Sequence, residues 1–246
     1  MATAALLQSQ KKALRKAVST TLRALQPVDV HTQSRAIAER ILSSRFFEES
    51  RSISCYLSMP TAEVDTSQLV PEILSSGKTL YVPKVDLSTE GWMEFLKVYG
   101  PEDLESFPAG LWGIREPTVH WKDQKRMSAM DADSDPLDVI LLPGIAFDRS
   151  MSRLGHGKGY YDRFISSYAA FAESQGRKRP LLGQLAPRFH YLNIEMTPPT
   201  TFSFTLSVAL ALRQQVLEES VPSGEHDWKV DLIISPDEVL GRSSLV

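Results

Sequence analysis

Wound at about 100° per residue, Leu7, Leu14, Val18, Leu22 and Leu25 fall within one stripe, and this spacing predicts an N-terminal helix. A second helix is predicted over residues 30–44, with Ile37, Ile41 and Leu42 as core positions. Residues 52–59 read as a strand, and residues 66–75 as a helix in which Pro71 is tolerated only near the start. Residues 78–85 and 92–99 are rich in β-branched and aromatic side chains and read as strands. A short buried strand over 138–142 precedes a helix over 159–171 with Tyr161, Phe164, Ile165 and Tyr168 on one face. Two further strands are expected at 206–212 and 230–234. Strands alternating with helices predict an α/β fold: one three-layer domain over residues 1–246, its mostly parallel sheet covered by helices on both faces.

Two stretches interrupt this alternation as loop insertions. Residues 118–136 are polar, and Asp131, Asp133 and Asp135 lack the glycine and distal glutamate of a calcium loop, which leaves a solvated loop. Residues 176–205 carry Pro180, Pro187, Pro198 and Pro199. No internal repeat is present.

Composition narrows the function classes. A net charge of −3 supplies no basic field for nucleic acid. The single cysteine, Cys55, excludes an intrachain disulfide and a cysteine-cluster metal site; among apolar strand residues it reads as a small buried hydrophobe. No apolar run approaches the roughly 20 residues of a membrane span. Residues 1–28 hold no acid but carry Lys11, Lys12, Arg15, Lys16 and Arg23, which resembles a mitochondrial presequence; the alternative is the first helix of the fold. Lys11 and Arg15 lie on the edge of the apolar stripe, while Lys12 and Lys16 point further out. An anion between Lys11 and Arg15 would explain two like charges held beside the core, and a solvated basic face is the other reading.

The chemistry concentrates in residues 141–164, LLPGIAFDRSMSRLGHGKGYYDRF. Gly155, Gly157 and Gly159 leave backbone N–H groups uncovered just before a helix start, with Arg153 and Lys158 among them. A phosphate suits that loop better than a plain surface turn explains it. Gly157-Lys158 is followed by Gly159 rather than the hydroxyl residue of a Walker loop, and Tyr160 occupies the third glycine place of the dinucleotide fingerprint. This is a phosphate cradle of another kind.

PGIAFD from Pro143 and RLGHGKGYYDRF from Arg153 closely resemble the signature of the 5-formyltetrahydrofolate cyclo-ligases, also called 5,10-methenyltetrahydrofolate synthetases. KKALR from Lys11, YLSMPTAEVDT from Tyr56 and KVD from Lys229 resemble three weaker motifs of that family in the same order. The resemblance implies an ATP-dependent ring closure in which ATP phosphorylates the formyl oxygen of 5-formyltetrahydrofolate. The neighbouring amine then attacks, and ADP, phosphate and the methenyl product leave.

By the same resemblance Lys11, Lys12 and Arg15 contact ATP from the first helix. Arg153, Leu154, Gly155, His156, Gly157, Lys158, Gly159, Tyr160 and Tyr161 wrap its triphosphate, with Lys158 and Arg153 stabilising the transferring phosphoryl group. Asp162 and Asp231 hold Mg2+; otherwise Asp162 is an acid in a first helical turn, favourable by ~0.3–1 kcal/mol, and Asp231 a strand-end acid. Leu57, Met59, Glu63 and Trp112 bind the folate together with His156, Gly157, Lys158, Gly159 and Tyr160. Glu63 suits the donors along the pterin's amino edge, and Trp112 either faces a flat ring or fills the core. The implied partners are ATP and 5-formyltetrahydrofolate, including its polyglutamylated form, with no nucleic acid, no membrane and the chain acting as a monomer.

Cytoplasm is favoured over the mitochondrion, because cleavage after KKALR would remove an ATP contact. The chain departs from the family's pattern by one extra residue after Met59, by the proline-rich insertion, and by Arg213 at an apolar place. The competing expectations are a sugar-phosphate isomerase or coenzyme A transferase-like enzyme, and a non-catalytic nucleotide-binding module.

Overall fold

A computed structural model describes residues 2–86, 88–89, 91–110, 113–177, 179–180, 204–224 and 227–241. Trp112 and most of the proline-rich insertion lie outside these residues. The chain begins with α1 (Ala2–Arg23), α2 (Pro27–Leu42) and α3 (Arg45–Glu49), and continues through β1 (Ser52–Ser54), α4 (Leu69–Ser75), β2 (Thr79–Asp86), β3 (Trp92–Val98) and α5 (Pro101–Glu105). After a small hairpin, β4 (His120–Trp121) and β5 (Gln124–Lys125), come β6 (Val139–Leu142), β7 (Ala146–Asp148), β8 (Arg153–Leu154) and α6 (Tyr160–Ser174). The last elements are β9 (Arg179–Pro180), β10 (Phe204–Leu210), β11 (Val216–Leu217), β12 (Leu232–Ile234) and β13 (Val239–Gly241).

The main sheet runs β13-β12-β10-β6-β1-β2-β3, with β9 beside the start of β10. β12, β10, β6, β1 and β2 are mutually parallel, and the antiparallel strands β13 and β3 close the two edges. Period-2 alternation divides the buried side chains between two cores. Val139 and Leu141 of β6 join the core formed with α1, α2, α3 and α4, whereas Ile140 and Leu142 join the core formed with α6. Helices thus cover both faces, as the unbroken apolar run of β6 requires of a central parallel strand.

The strand expected over residues 52–59 ends at Ser54. Beyond it Tyr56 and Ser58 turn their polar groups to Thr66, which donates through Oγ1 to the Tyr56 carbonyl at 2.9 Å and accepts from the Ser58 N–H at 3.2 Å. This side-chain pairing replaces the ladder with a loop. The expected helix over 66–75 is shortened to Leu69–Ser75, with Pro71 near its start. Residues 118–136 are not simply a solvated loop: they form the β4–β5 hairpin and bury Arg126, whose guanidinium pairs with Asp103. A small sheet, β11-β7-β8, was not visible in the pattern because its strands are only two or three residues long. Among the described residues no helix is long and apolar enough to cross a membrane.

Candidate active site

A cleft of about 540 Å³ opens outside the carboxyl ends of the parallel strands, the usual ligand position of open α/β sheets. Several separated parts of the chain build it. α1 supplies Gln8, Lys11 and Arg15; the loop after β1 supplies Tyr56, Leu57, Met59 and Glu63. Pro83 and Val85 of β2, Met93 of β3, Ile114 and Glu116 form a largely apolar wall. Pro143, residues 153–162 and Asp227 complete the lining.

The glycine loop is shaped by two arginines. Arg15 donates from Nε to the Gly155 carbonyl at 2.8 Å. A Cβ at Gly157, whose φ is +93°, would lie 3.2 Å from the Arg15 Cζ, so glycine there admits both the backbone turn and the guanidinium. Gly159 takes φ +69° at the N-cap of α6 and gives the helix a start without a side-chain cap. Arg163, one turn into α6, donates to the Gly91 carbonyl at 2.9 Å and to the Lys158 carbonyl, clasping the β2–β3 turn to the loop.

Arg153 is nearly buried, and its Nη2 donates to both carboxylate oxygens of Asp162 at 3.0 Å. Lys11, also buried, donates to Asp227, which accepts the Gly224 N–H as well. The Trp228 N–H reaches Asp162 at 3.4 Å, and Asp162 and Asp227 both line the cleft. Burial pulls the Arg15 guanidinium down from its ordinary value, and Asp227 works against that shift. Lys158 is exposed at the mouth.

On the opposite side Glu63 is buried and accepts the Met59 N–H at 2.9 Å, while its other oxygen lies 3.8 Å from His156 Nε2. Burial, then Glu63 and Cys55, push the Tyr161 hydroxyl well above its ordinary value, with Arg153 opposing; the group stays a neutral donor. Burial also pushes the Glu116 carboxyl up against the attraction of Lys84, 3.8 Å away.

Lys11, Arg15, Leu57, Met59, Glu63 and all of Arg153 to Asp162 that the sequence singled out therefore line one cleft. Lys12 is exposed on α1 and is not part of that lining. Asp231 is not among the residues that line this cleft: only 5 % exposed, it accepts the Ser207 N–H at 2.9 Å and the Ser207 hydroxyl at 2.6 Å beside β10. Of the two acids in this segment it is Asp227, four residues earlier, that lines the cleft. Its partner Lys11 is far away in sequence, so spacing alone could not choose between the two acids. Glu116, Gln8 and Met93 were missed for the same reason.

Among the described residues no group of three or more histidine, cysteine or acidic side chains forms a metal cage. Magnesium usually keeps several waters and takes one or two carboxylates plus phosphate oxygens. Asp162 and Asp227 fit an ion that arrives on a nucleotide, not one held by protein alone.

Residues 7–193 match the 5-formyltetrahydrofolate cyclo-ligase family. The chain is 32% identical over 239 residues to the mitochondrial 5-formyltetrahydrofolate cyclo-ligase of Arabidopsis thaliana, covering 94% of this chain and 76% of that one. It is 29% identical over 231 residues to 5-formyltetrahydrofolate cyclo-ligase of Mus musculus, covering 94% and 96%. The NMR structure of Aquifex aeolicus 5,10-methenyltetrahydrofolate synthetase superposes with a TM-score of 0.65 at 26% identity, covering 95% of each chain. A match running from α1 through the glycine loop and α6, carried on the same fold, establishes that the chain belongs to the 5-formyltetrahydrofolate cyclo-ligase family.

Proposed function

We propose that the chain catalyses the ATP-dependent closure of 5-formyltetrahydrofolate to 5,10-methenyltetrahydrofolate with release of ADP and phosphate. The observation that carries this reading is the division of the cleft. Cations from α1 and the glycine loop, Lys11, Arg15, Arg153 and Lys158, share the cleft with an apolar wall from β2 and β3 and with Glu63 from the loop after β1.

The reaction needs no protein nucleophile. The formyl oxygen attacks the γ-phosphorus and ADP leaves; the neighbouring amine then adds to the activated carbon, loses its proton, and expels phosphate. Such transfers depend on positioning and on charge neutralisation. Arg15 and the loop N–H groups between Gly155 and Gly159 hold the phosphates, and Lys158 and Arg153 neutralise the charge that develops on the transferred group. Asp162 and Asp227 are the carboxylates that would hold an Mg2+ carried by ATP, which would shield phosphate charge there. Glu63 accepts from the pterin's amino edge, Leu57 and Met59 pack on the ring, and His156 makes a contact at the junction. Tyr161, held neutral, donates a hydrogen bond.

We assign the active form to a monomer in the cytoplasm. Support for the location comes from α1, where Lys11 and Arg15 enter the cleft from the same basic stretch that a presequence cleavage would remove. Purified protein with 5-formyltetrahydrofolate, ATP and magnesium should generate the near-ultraviolet absorbance of the methenyl product. Absence of product, or product formed without ATP, would overturn the reading.

A further inference from the structure

One carboxylate on the cleft wall has no task in the scheme above. Glu116 belongs to the segment after Gly113, and its N–H donates to the Pro108 carbonyl at 3.1 Å, which fixes the backbone. The side chain packs over Gly110, where a Cβ would come within 2.8 Å of the Glu116 Cγ. It is 15% exposed, and among the described residues its one side-chain partner is Lys84, whose Nζ lies 3.8 Å away. That separation is an ion pair but too long for a good hydrogen bond. A carboxylate has about four acceptor sites, and Lys84 engages only part of them, which leaves acceptor capacity open to a guest in the cleft.

The surroundings say which guest could fill them. Beside Glu116 the wall is Pro83, Val85, Met93 and Ile114, whereas the phosphate-binding cations come from α1 and the glycine loop. A carboxylate repels a triphosphate, and apolar flanks suit a flat heterocycle. The carboxylate therefore stands in the apolar part of the cleft lining, where a ring with N–H donors would suit it.

We propose that Glu116 is a specificity-determining residue of the folate wall, accepting a hydrogen bond from an N–H donor of the reduced pterin, with Lys84 behind it. The assignment rests on the folate reading of the cleft. Together Glu63 and Glu116 offer the ring acceptors from two separate segments, one following β1 and one following Gly113.

Calorimetric binding of 5-formyltetrahydrofolate without ATP, on the full chain, tests this directly. Loss of a hydrogen bond to a charged acceptor should raise Kd about tenfold or more in Glu116→Ala. The Kd of a non-hydrolysable ATP analogue should keep its wild-type value. Glu116→Gln retains an acceptor oxygen and should give a smaller rise, and it carries the test if the thermal midpoint shows that Glu116→Ala does not fold. Unchanged folate affinity, or an equal loss of analogue affinity, overturns the proposal. Wild-type protein that binds no folate overturns both this proposal and the folate reading. Wild-type protein that binds folate yet forms no methenyl product overturns the activity alone, and the binding comparison still decides the role of Glu116.

Discussion

Both carboxylate oxygens of Asp162 lie 3.0 Å from one guanidinium nitrogen of Arg153, so the first acid of α6 is tied to the first residue of the phosphate loop. Arg153 also donates to the Pro143 carbonyl at 3.2 Å and stands 5.7 Å over the Tyr161 ring. Asp162 is thereby more than a favourable charge in a first helical turn. Its side chain is 26% exposed against 5% for Arg153, so removing it strands a nearly buried cation. Asp162→Asn should cost about 1–3 kcal/mol of stability, read as a lower thermal midpoint, and should raise the KM for ATP. A variant with wild-type midpoint and wild-type KM would show that the pair holds nothing in place.

Gly157→Ala tests the cradle from the backbone side. The positive φ of +93° and the 3.2 Å approach of a Cβ to Arg15 make this substitution unfavourable twice over. Backbone strain of this kind costs about 1–3 kcal/mol. The KM for ATP should rise much more than the KM for 5-formyltetrahydrofolate. In an Arg15→Ala background the same substitution should do less harm to ATP binding, because the guanidinium it displaces is gone. Equal effects in both backgrounds would mean that Arg15 and Gly157 act independently.

Arg126 and Asp103 form a pair with side chains 0% and 1% exposed. Arg126 further donates to the Thr118 carbonyl at 2.8 Å and the Lys97 carbonyl at 3.1 Å, and the rings of Phe107, Trp121 and Tyr99 surround it. Asp103→Ala leaves that charge unpaired in the interior and should destabilise by about 3–5 kcal/mol in urea unfolding. Replacing both partners, as Arg126→Met with Asp103→Leu, should recover most of the loss. A double variant as unstable as the single one would place the stabilisation in the Arg126 carbonyl contacts instead of in the pair.

That pair also marks where sequence reasoning stops. The glycine loop, α6 and β6 were legible because their signals are local: spacing of glycines, a 3.6-residue stripe, an unbroken apolar run. Arg126 was not, since a polar stretch reads as solvated until Asp103, 23 residues earlier, is brought against it. The two acids of DWKVD differ in the same way. Strand pairing with Ser207 takes Asp231 into the sheet, and the approach of α1 brings Lys11 to Asp227. Glu116 reaches the cleft only because its segment folds back over Gly110, beside β2 and β3. Long-range placement decides all three, and no local pattern encodes it.

Asp148 ties stability to pH. It is buried at the end of β7, accepts the Ser150 N–H at 2.8 Å, the Ser150 hydroxyl at 2.7 Å and the Ser152 N–H at 3.0 Å through one oxygen, and accepts the Val221 N–H at 2.8 Å through the other. Burial pushes its carboxyl up, but these hydrogen bonds from Ser150, Val221 and Ser152 outweigh it and hold the group below its ordinary 3.8. With the folded value depressed, the unfolded chain binds the proton first as pH falls. The contribution is therefore full above the ordinary carboxylate value and is lost as pH drops through the folded one. Asp86, Glu218 and Asp237 are shifted the same way but lie at the surface, Asp86 partly covered and the other two exposed, so screening leaves them little weight. Chemical unfolding of the wild type should show stability falling below about pH 4. Asp148→Asn should be less stable at neutral pH, because its amide cannot accept from all four donors, and should show a shallower acid slope. An acid slope equal to that of the wild type would move the pH dependence to other carboxylates.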